Sequence, residues 1–314
     1  MSDPNLAAAD LAPDAVDGHD TATESERPRS LGQDAWEDLR RNPLVLVSGV
    51  LITVLVVMAI APGLFTNRSP SSCDLRVSRE GPSSHAWFGY DLQGCDVYAR
   101  TVYGARASIL VGVLTTLVVA LFGGGLGMLA GFYGGFIDTM LSRTTDIFFG
   151  IPFLLGAILV LTSFPSGNAS SFWVPVLKVV LALAVLGWPS VARIMRSTVL
   201  QVKTADYVAA ARALGAPTSR ILRVHVLPNA VQPVIVYSTI LLGAFIGSEA
   251  ALSFLGVGLQ PPAISWGIEI SDAQGFVRTS PHMLIFPAVF LSVTVLAFIM
   301  LGDAVRDALD PKQR

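Results

Sequence analysis

The chain is 314 residues long, 52% hydrophobic and only 14% charged, against about 25% charged for an ordinary soluble domain, and this is a membrane composition. Its 21 basic and 23 acidic residues give a net charge of −2, but residues 1–38 hold ten acids and two bases, which leaves +6 on the rest. That balance excludes nucleic-acid binding by bulk charge, and two cysteines, Cys73 and Cys95, are too few for a disulfide scaffold or a cysteine-based zinc site.

Residues 1–39 are polar, acidic and rich in Ala, Asp, Pro and Ser, with no apolar core of a signal peptide, and are expected to form a disordered cytoplasmic tail. A helix needs about 20 apolar residues to cross the hydrocarbon layer. Six segments meet that length: Leu44–Phe65, Ala107–Ile137, Thr139–Leu161, Phe172–Val191, Val231–Val257 and Met283–Leu301. Lys178 lies inside the fourth, where its long stem reaches the interface. Arg40 and Arg41 stand directly before the first span, which places the N-terminus in the cytoplasm. Six spans return the C-terminus to the same side. This topology puts 14 Lys and Arg residues inside and six outside, Lys178 apart. The division is a tail over 1–39, a first transmembrane helix over 40–66, an extracytoplasmic segment over 67–104, and a five-helix core over 105–314, with a brief outer loop around Asn168.

Cys73 and Cys95 both fall in the outer segment, in a compartment where disulfides persist. A bridge is expected, with two separate thiols as the alternative. Gly123, Gly127, Gly131 and Gly135 recur every four residues and form a small-residue face for close helix packing. Glu249 interrupts the fifth span; an ionised carboxylate there is costly unless paired or wet. It is therefore either a pathway residue or one satisfied by a neighbouring span near the outer helix end. His85, His225 and His282 lack metal-ligand spacing, and no catalytic constellation is visible.

Residues 193–230 are too polar to span and too well patterned to be disordered. Thr204 is expected to cap a helix that carries Asp206 in its first turn and ends at Gly215 in a left-handed conformation. A second short helix over 217–225 is expected to stop at Leu227-Pro228, leaving Asn229 to cap the fifth span. The product is a helix-turn-helix on the cytoplasmic membrane face.

The residues Ala210-Ala211, Gly215 and His225-Val226-Leu227-Pro228 resemble the EAA signature of permease subunits of ATP-binding-cassette (ABC) importers; Ala209 stands where that signature begins with Glu, and His225 where it has Ile. Gly89-Tyr-Asp91-Leu-Gln-Gly94-Cys-Asp96-Val with Tyr103-Gly-Ala-Arg106 is similar to the outer segment of dipeptide and oligopeptide permeases, with Tyr90 and Cys95 as departures. Glu249-Ala-Ala-Leu-Ser-Phe-Leu-Gly256-Val-Gly-Leu-Gln-Pro261-Pro, Trp266-Gly267 and Gly302-Asp303-Ala-Val-Arg306-Asp-Ala-Leu-Asp310-Pro311 resemble the same subfamily's second permease chain.

That resemblance implies an all-α type I importer permease fold with six transmembrane helices and a cytoplasmic coupling helix at 204–228. It implies attachment to an ATPase subunit through Ala209, Ala210, Ala211, Gly215, His225, Leu227 and Pro228. The implied partners are a second homologous permease, two ABC ATPase subunits, an extracytoplasmic substrate-binding protein and membrane lipids, with no nucleic acid. No cofactor is expected on this chain, since the sequence has no Gly-x-x-x-x-Gly-Lys-Ser/Thr loop; ATP and Mg belong to the ATPase partners. The implied cargo is a short peptide. Nickel or another small cargo is the alternative within the family, and an autonomous secondary transporter, which ordinarily carries its own inverted repeats, is the alternative outside it.

Overall fold

The computed structural model describes residues 42–164 and 171–309, so the acidic tail, Arg40, Arg41 and the loop around Asn168 lie outside the described residues. Among those residues there is no β-strand, only isolated bridges at Cys73–Cys95 and Tyr90–Asp96. Helix α1, Pro43–Ile60, starts at Asn42, whose Oδ1 accepts the Leu44 N–H at 2.9 Å, with Pro43 in the first turn.

Helix α2, Val97–Tyr133, is 37 residues long and begins ten residues before the apolar run that marks it in the sequence. The extra turns are charged but satisfied. Asp96 caps Ala99 N–H at 3.1 Å, Arg100 pairs with Glu269, and Arg106 donates to the last carbonyls of α1. At about 1.5 Å per residue the helix rises roughly 55 Å, well beyond the hydrocarbon layer.

The expected single third span is broken. Helix α3, Gly135–Phe149, and helix α4, Phe153–Ser163, meet at 90°. Pro152 sits at the break with ψ 123°; it lacks an N–H and drives the preceding residue out of helical geometry. Among the described residues, five helices are long and apolar enough to cross a membrane, and the bent pair supplies the sixth crossing if it counts as one span.

Helix α5, Trp173–Val202, continues 11 residues past the expected end at Val191. It packs on α2 through a fourfold register. A β-carbon at Gly123 would lie 2.5 Å from the Trp188 carbonyl oxygen, one at Gly127 would overlap the Ala192 carbonyl, and one at Gly131 would lie 2.8 Å from the Arg196 carbonyl. Backbones at this separation admit no side chain, which is how small residues let membrane helices approach. Gly135 does not join that face: it opens α3 at φ +56° with open space around it. The main core fills in between α2, α5 and the later helix Leu227–Phe254 with Val111, Val119, Leu183, Val191, Met195 and Leu252.

After α6, Asp206–Ala213, the chain turns at Gly215 and re-enters helix at Thr218–Arg220. A π-helical stretch, Ile221–Val226, then runs into α7, Leu227–Phe254, so that 218–254 is one continuous rod. Leu227-Pro228 therefore does not stop a helix, and Asn229 does not cap one; its Nδ2 donates to His225 O at 2.7 Å. The widened turn, in which Leu227 N–H reaches back to Leu222 O, places Pro228 where its missing N–H breaks no ladder. Helix α8, Trp266–Ala273, capped by Ser265 Oγ, and α9, His282–Leu309, complete the fold. A second cluster, including Leu55, Met58, Ile109, Ile246, Trp266 and Phe298, joins α1, α2, α7, α8 and α9.

Candidate coupling site

Helix α6 starts from Ala205 in extended conformation, without a side-chain cap. Thr204 is not the cap: its hydroxyl donates to Gln201 O at 2.8 Å, closing the end of α5 instead. Asp206 opens the helix, where its charge suits the positive end of the dipole. At the other end, Ala216 N–H reaches Ala211 O at 3.1 Å and Gly215 N–H reaches Arg212 O at 3.0 Å, with Gly215 at φ +78°. This is the paired closure of a Schellman motif.

The helix buries one side chain, Val208, among Val199, Ile221 and Val226. Ala209 and Ala210 face outward with Tyr207, Ala211 is half-buried, and Leu214 is 88% exposed at the turn. Small exposed side chains beside one protruding leucine make a shallow surface that a groove can cover closely. His225 lies beside Tyr207, ring centroids 6.4 Å apart; Leu227 packs on the core, and Pro228 is exposed. The structure thus gathers Ala209, Ala210, Ala211 and Gly215 on one protrusion, with His225, Leu227 and Pro228 at its root on the rod that becomes α7.

Two polar ties fix the end of α5, just before that protrusion, to neighbouring helices. Arg196 on α5 holds Asp138 on α3 through Nε and Nη2, the latter at 2.8 Å, and Lys203 Nζ donates to Gly131 O at 2.7 Å. The sequence counted these cations for topology and showed no partner for them. Asp138→Asn keeps the shape and removes the charge; it is expected to lower the thermal midpoint of the purified protein by the equivalent of about 1–2 kcal/mol. An unchanged midpoint would discount the tie.

Glu249 does not reach an open face of this chain. It is 0% exposed, at the meeting of α2, α7 and α8, where Oε1 accepts from Ser253 Oγ at 2.8 Å and the Ser108 and Ser265 hydroxyls lie alongside. Ser253 Oγ in turn accepts Leu259 N–H at 3.0 Å, pinning the turn after α7. Gly258 and Gly267 are needed there because a β-carbon on either would overlap Ser253 or Ala250.

In the segment between α1 and α2, Cys73 and Cys95 are joined by a disulfide across 22 residues. Asp91 Oδ1 accepts both Gln93 and Cys95 N–H at 2.8 Å, and Gly94, at φ +73°, leaves room for the Asp74 backbone. Next to this knot lies a cluster that the sequence did not reveal. Arg100 Nε is 2.5 Å from Glu269 Oε1 and 3.3 Å from Asp91 Oδ2. Burial pushes the Glu269 carboxyl up to about 7 against the pull of Arg100, and burial raises Asp272 as well. Residues 178 positions apart thereby hold the disulfide-linked segment to α8.

Comparison with known proteins bears on the whole chain. Residues 123–314 match the model described as binding-protein-dependent transport system inner membrane component, and residues 30–82 match the N-terminal TM domain of oligopeptide transport permease C. The oligopeptide transport system permease protein OppC of Bacillus subtilis is 37% identical over 96% of both chains. The dipeptide permease protein DppC of the same organism is 40% identical over 91% of this chain and 87% of its own. The glutathione permease protein GsiD of Pectobacterium atrosepticum is 36% identical over 90% of this chain and 92% of its own. Among solved structures, a chain of the inward-facing MetNI methionine ABC transporter superposes with a TM-score of 0.53 at 20% identity, covering 67% of this chain and 96% of that one; this likeness concerns the fold alone.

Proposed function

Because the chain belongs to the family of binding-protein-dependent transport system inner membrane components, we propose that it forms half of the translocation pathway of an importer for short peptides. Relatives named for oligopeptides, dipeptides and glutathione support that cargo class over nickel. Its partners in this reading are a second permease, two cytoplasmic ATPase subunits that carry ATP and Mg, and an extracytoplasmic binding protein. Both termini lie in the cytoplasm, and the chain itself performs no ATP hydrolysis, consistent with its lack of a phosphate-binding loop.

The observation that carries the reading is the protruding α6 face of Ala209, Ala210 and Leu214, closed by Gly215 and continuous with two spans. When the ATPase pair closes, a rigid protrusion seated on it moves α5 and α7 together. Gly215→Val tests this. Space at Gly215 is open, so the cost comes from the left-handed backbone alone, roughly 1–2 kcal/mol for a residue with a β-carbon. The expected result is normal membrane insertion, with at least about tenfold loss of peptide-stimulated ATPase activity in the reconstituted complex. Full transport by the variant would sink the proposal.

A further inference from the structure

At the end of the spans that carries the disulfide-linked segment, Arg106 on α2 caps the C-terminus of α1. Its Nε donates to Ala59 O at 3.0 Å and Nη2 to Ile60 O at 3.2 Å. Among the described residues no carboxylate lies within ion-pair distance of it and no further acceptor engages its remaining donors, although a guanidinium carries five N–H groups. The side chain is exposed. It stands over a groove of about 700 Å³ whose wall is otherwise hydrocarbon: Val56, Ile60, Ile109, Leu110, Val113 and Phe172. Tyr103, one turn from Arg106, and Trp173, at the first turn of α5 and 51% exposed, border the same groove.

Three features point to one occupant. Tyr and Trp with an unpaired cation at the ends of membrane helices mark the headgroup level, where aromatic rings and arginine meet the interface. A guanidinium that still has N–H donors unused prefers a phosphate over any neutral group. The groove is also continuous with the outward apolar face of α1, where Val50, Val54, Val57 and Ile60 remain uncovered by the rest of the chain. A surface that is oily along its length and cationic at one end matches an amphiphile with an anionic head. We propose that the groove between α1 and α2 holds one anionic phospholipid, its phosphate on Arg106 and an acyl chain along Ile109, Leu110 and Val113. A lipid so held ties the lone N-terminal span to the core, which the few side chains that α1 buries do only in part.

The assembled complex, reconstituted in vesicles of phosphatidylglycerol and phosphatidylcholine, is labelled with a phosphatidylglycerol that carries a photoactivatable group in its acyl chain. Adducts are expected to concentrate on residues 56–60 and 109–113 and to be displaced by unlabelled phosphatidylglycerol more readily than by phosphatidylcholine. Arg106→Gln is expected to lower this labelling about tenfold, the loss of one charge-assisted contact. Leu110→Trp fills the groove while leaving the Arg106 cap intact, and is expected to lower labelling at the same sites in a complex of unchanged size. Labelling spread evenly over α1 and insensitive to both variants overturns the proposal. So does photochemical capture of the partner permease, instead of lipid, from a benzophenone placed at position 110.

Discussion

Replacing Gly127 with valine is expected to prevent the permease core from assembling. A β-carbon at that position overlaps the Ala192 carbonyl oxygen, a backbone atom with no rotamer by which to retreat, so α2 and α5 must separate along their whole contact. Overpacking ordinarily costs about 1–3 kcal/mol. Here the displaced partner is a helix, the contact recurs at Gly123 and Gly131, and the main core between α2, α5 and α7 opens with it. A cost of at least about 3 kcal/mol is therefore expected, seen as a collapse of folded yield or a large fall in thermal midpoint in detergent. Gly125→Val is the matched control. It lies on the same helix with open space around it and is expected to leave the midpoint nearly unchanged. Equal behaviour of the two variants would contradict the packing account.

Arg100→Leu carries the second large effect. Arg100 is the cation that faces buried Glu269 together with Asp91, and breaking a buried pair from one side costs about 3–5 kcal/mol because the remaining charge stays desolvated. The effect depends on pH. Glu269 already titrates at about 7, above the ordinary carboxyl value of 4.5, because burial favours its neutral form. A carboxyl raised in the folded state binds more protons there than in the unfolded chain. It therefore makes stability fall as pH rises from about 4.5 through about 7. Arg100 opposes that shift, so its removal raises the Glu269 value further and extends the decline to higher pH. The variant is expected to be close to wild type at pH 5.5 and severely destabilised at pH 8, read as the difference in thermal midpoint between the two buffers. Arg100→Leu combined with Glu269→Leu is expected to recover most of the loss, since replacing both partners by apolar groups removes the stranded charge. A pH-independent deficit in the single variant would refute this role for Glu269.

How much of this was legible beforehand follows from the physics of each signal. Burial in lipid requires long apolar runs, so the helical class, the five continuous spans and the approximate position of each stood out from hydropathy. The left-handed turn at Gly215 was legible because glycine between a helix and Ala-Pro has few other uses. The fourfold glycine repeat announced the α2–α5 contact, yet at Gly135 it ran on past the end of the helix, where the backbone and not the spacing decides. Thr204 and Asn229 misled for a related reason. Capping residues compete for several local acceptors, and which carbonyl wins depends on where the preceding helix stops.

By itself, then, the sequence determined what each segment can cross and where its backbone can turn, because hydrophobic length and glycine conformational freedom are properties of single segments. Only the tertiary structure decided the rest. Pro152 bends the third span by 90°, while Pro228 is absorbed without a break. Glu249 is enclosed by the chain's own packing, and Arg100 finds Glu269 far along the chain. The two prolines differ because the backbone around them differs, one at a break and one in a widened turn, whereas Glu249 and Arg100 depend on partners brought in from other elements, and the free energy of a buried charge is set by such partners and by the exclusion of water around it.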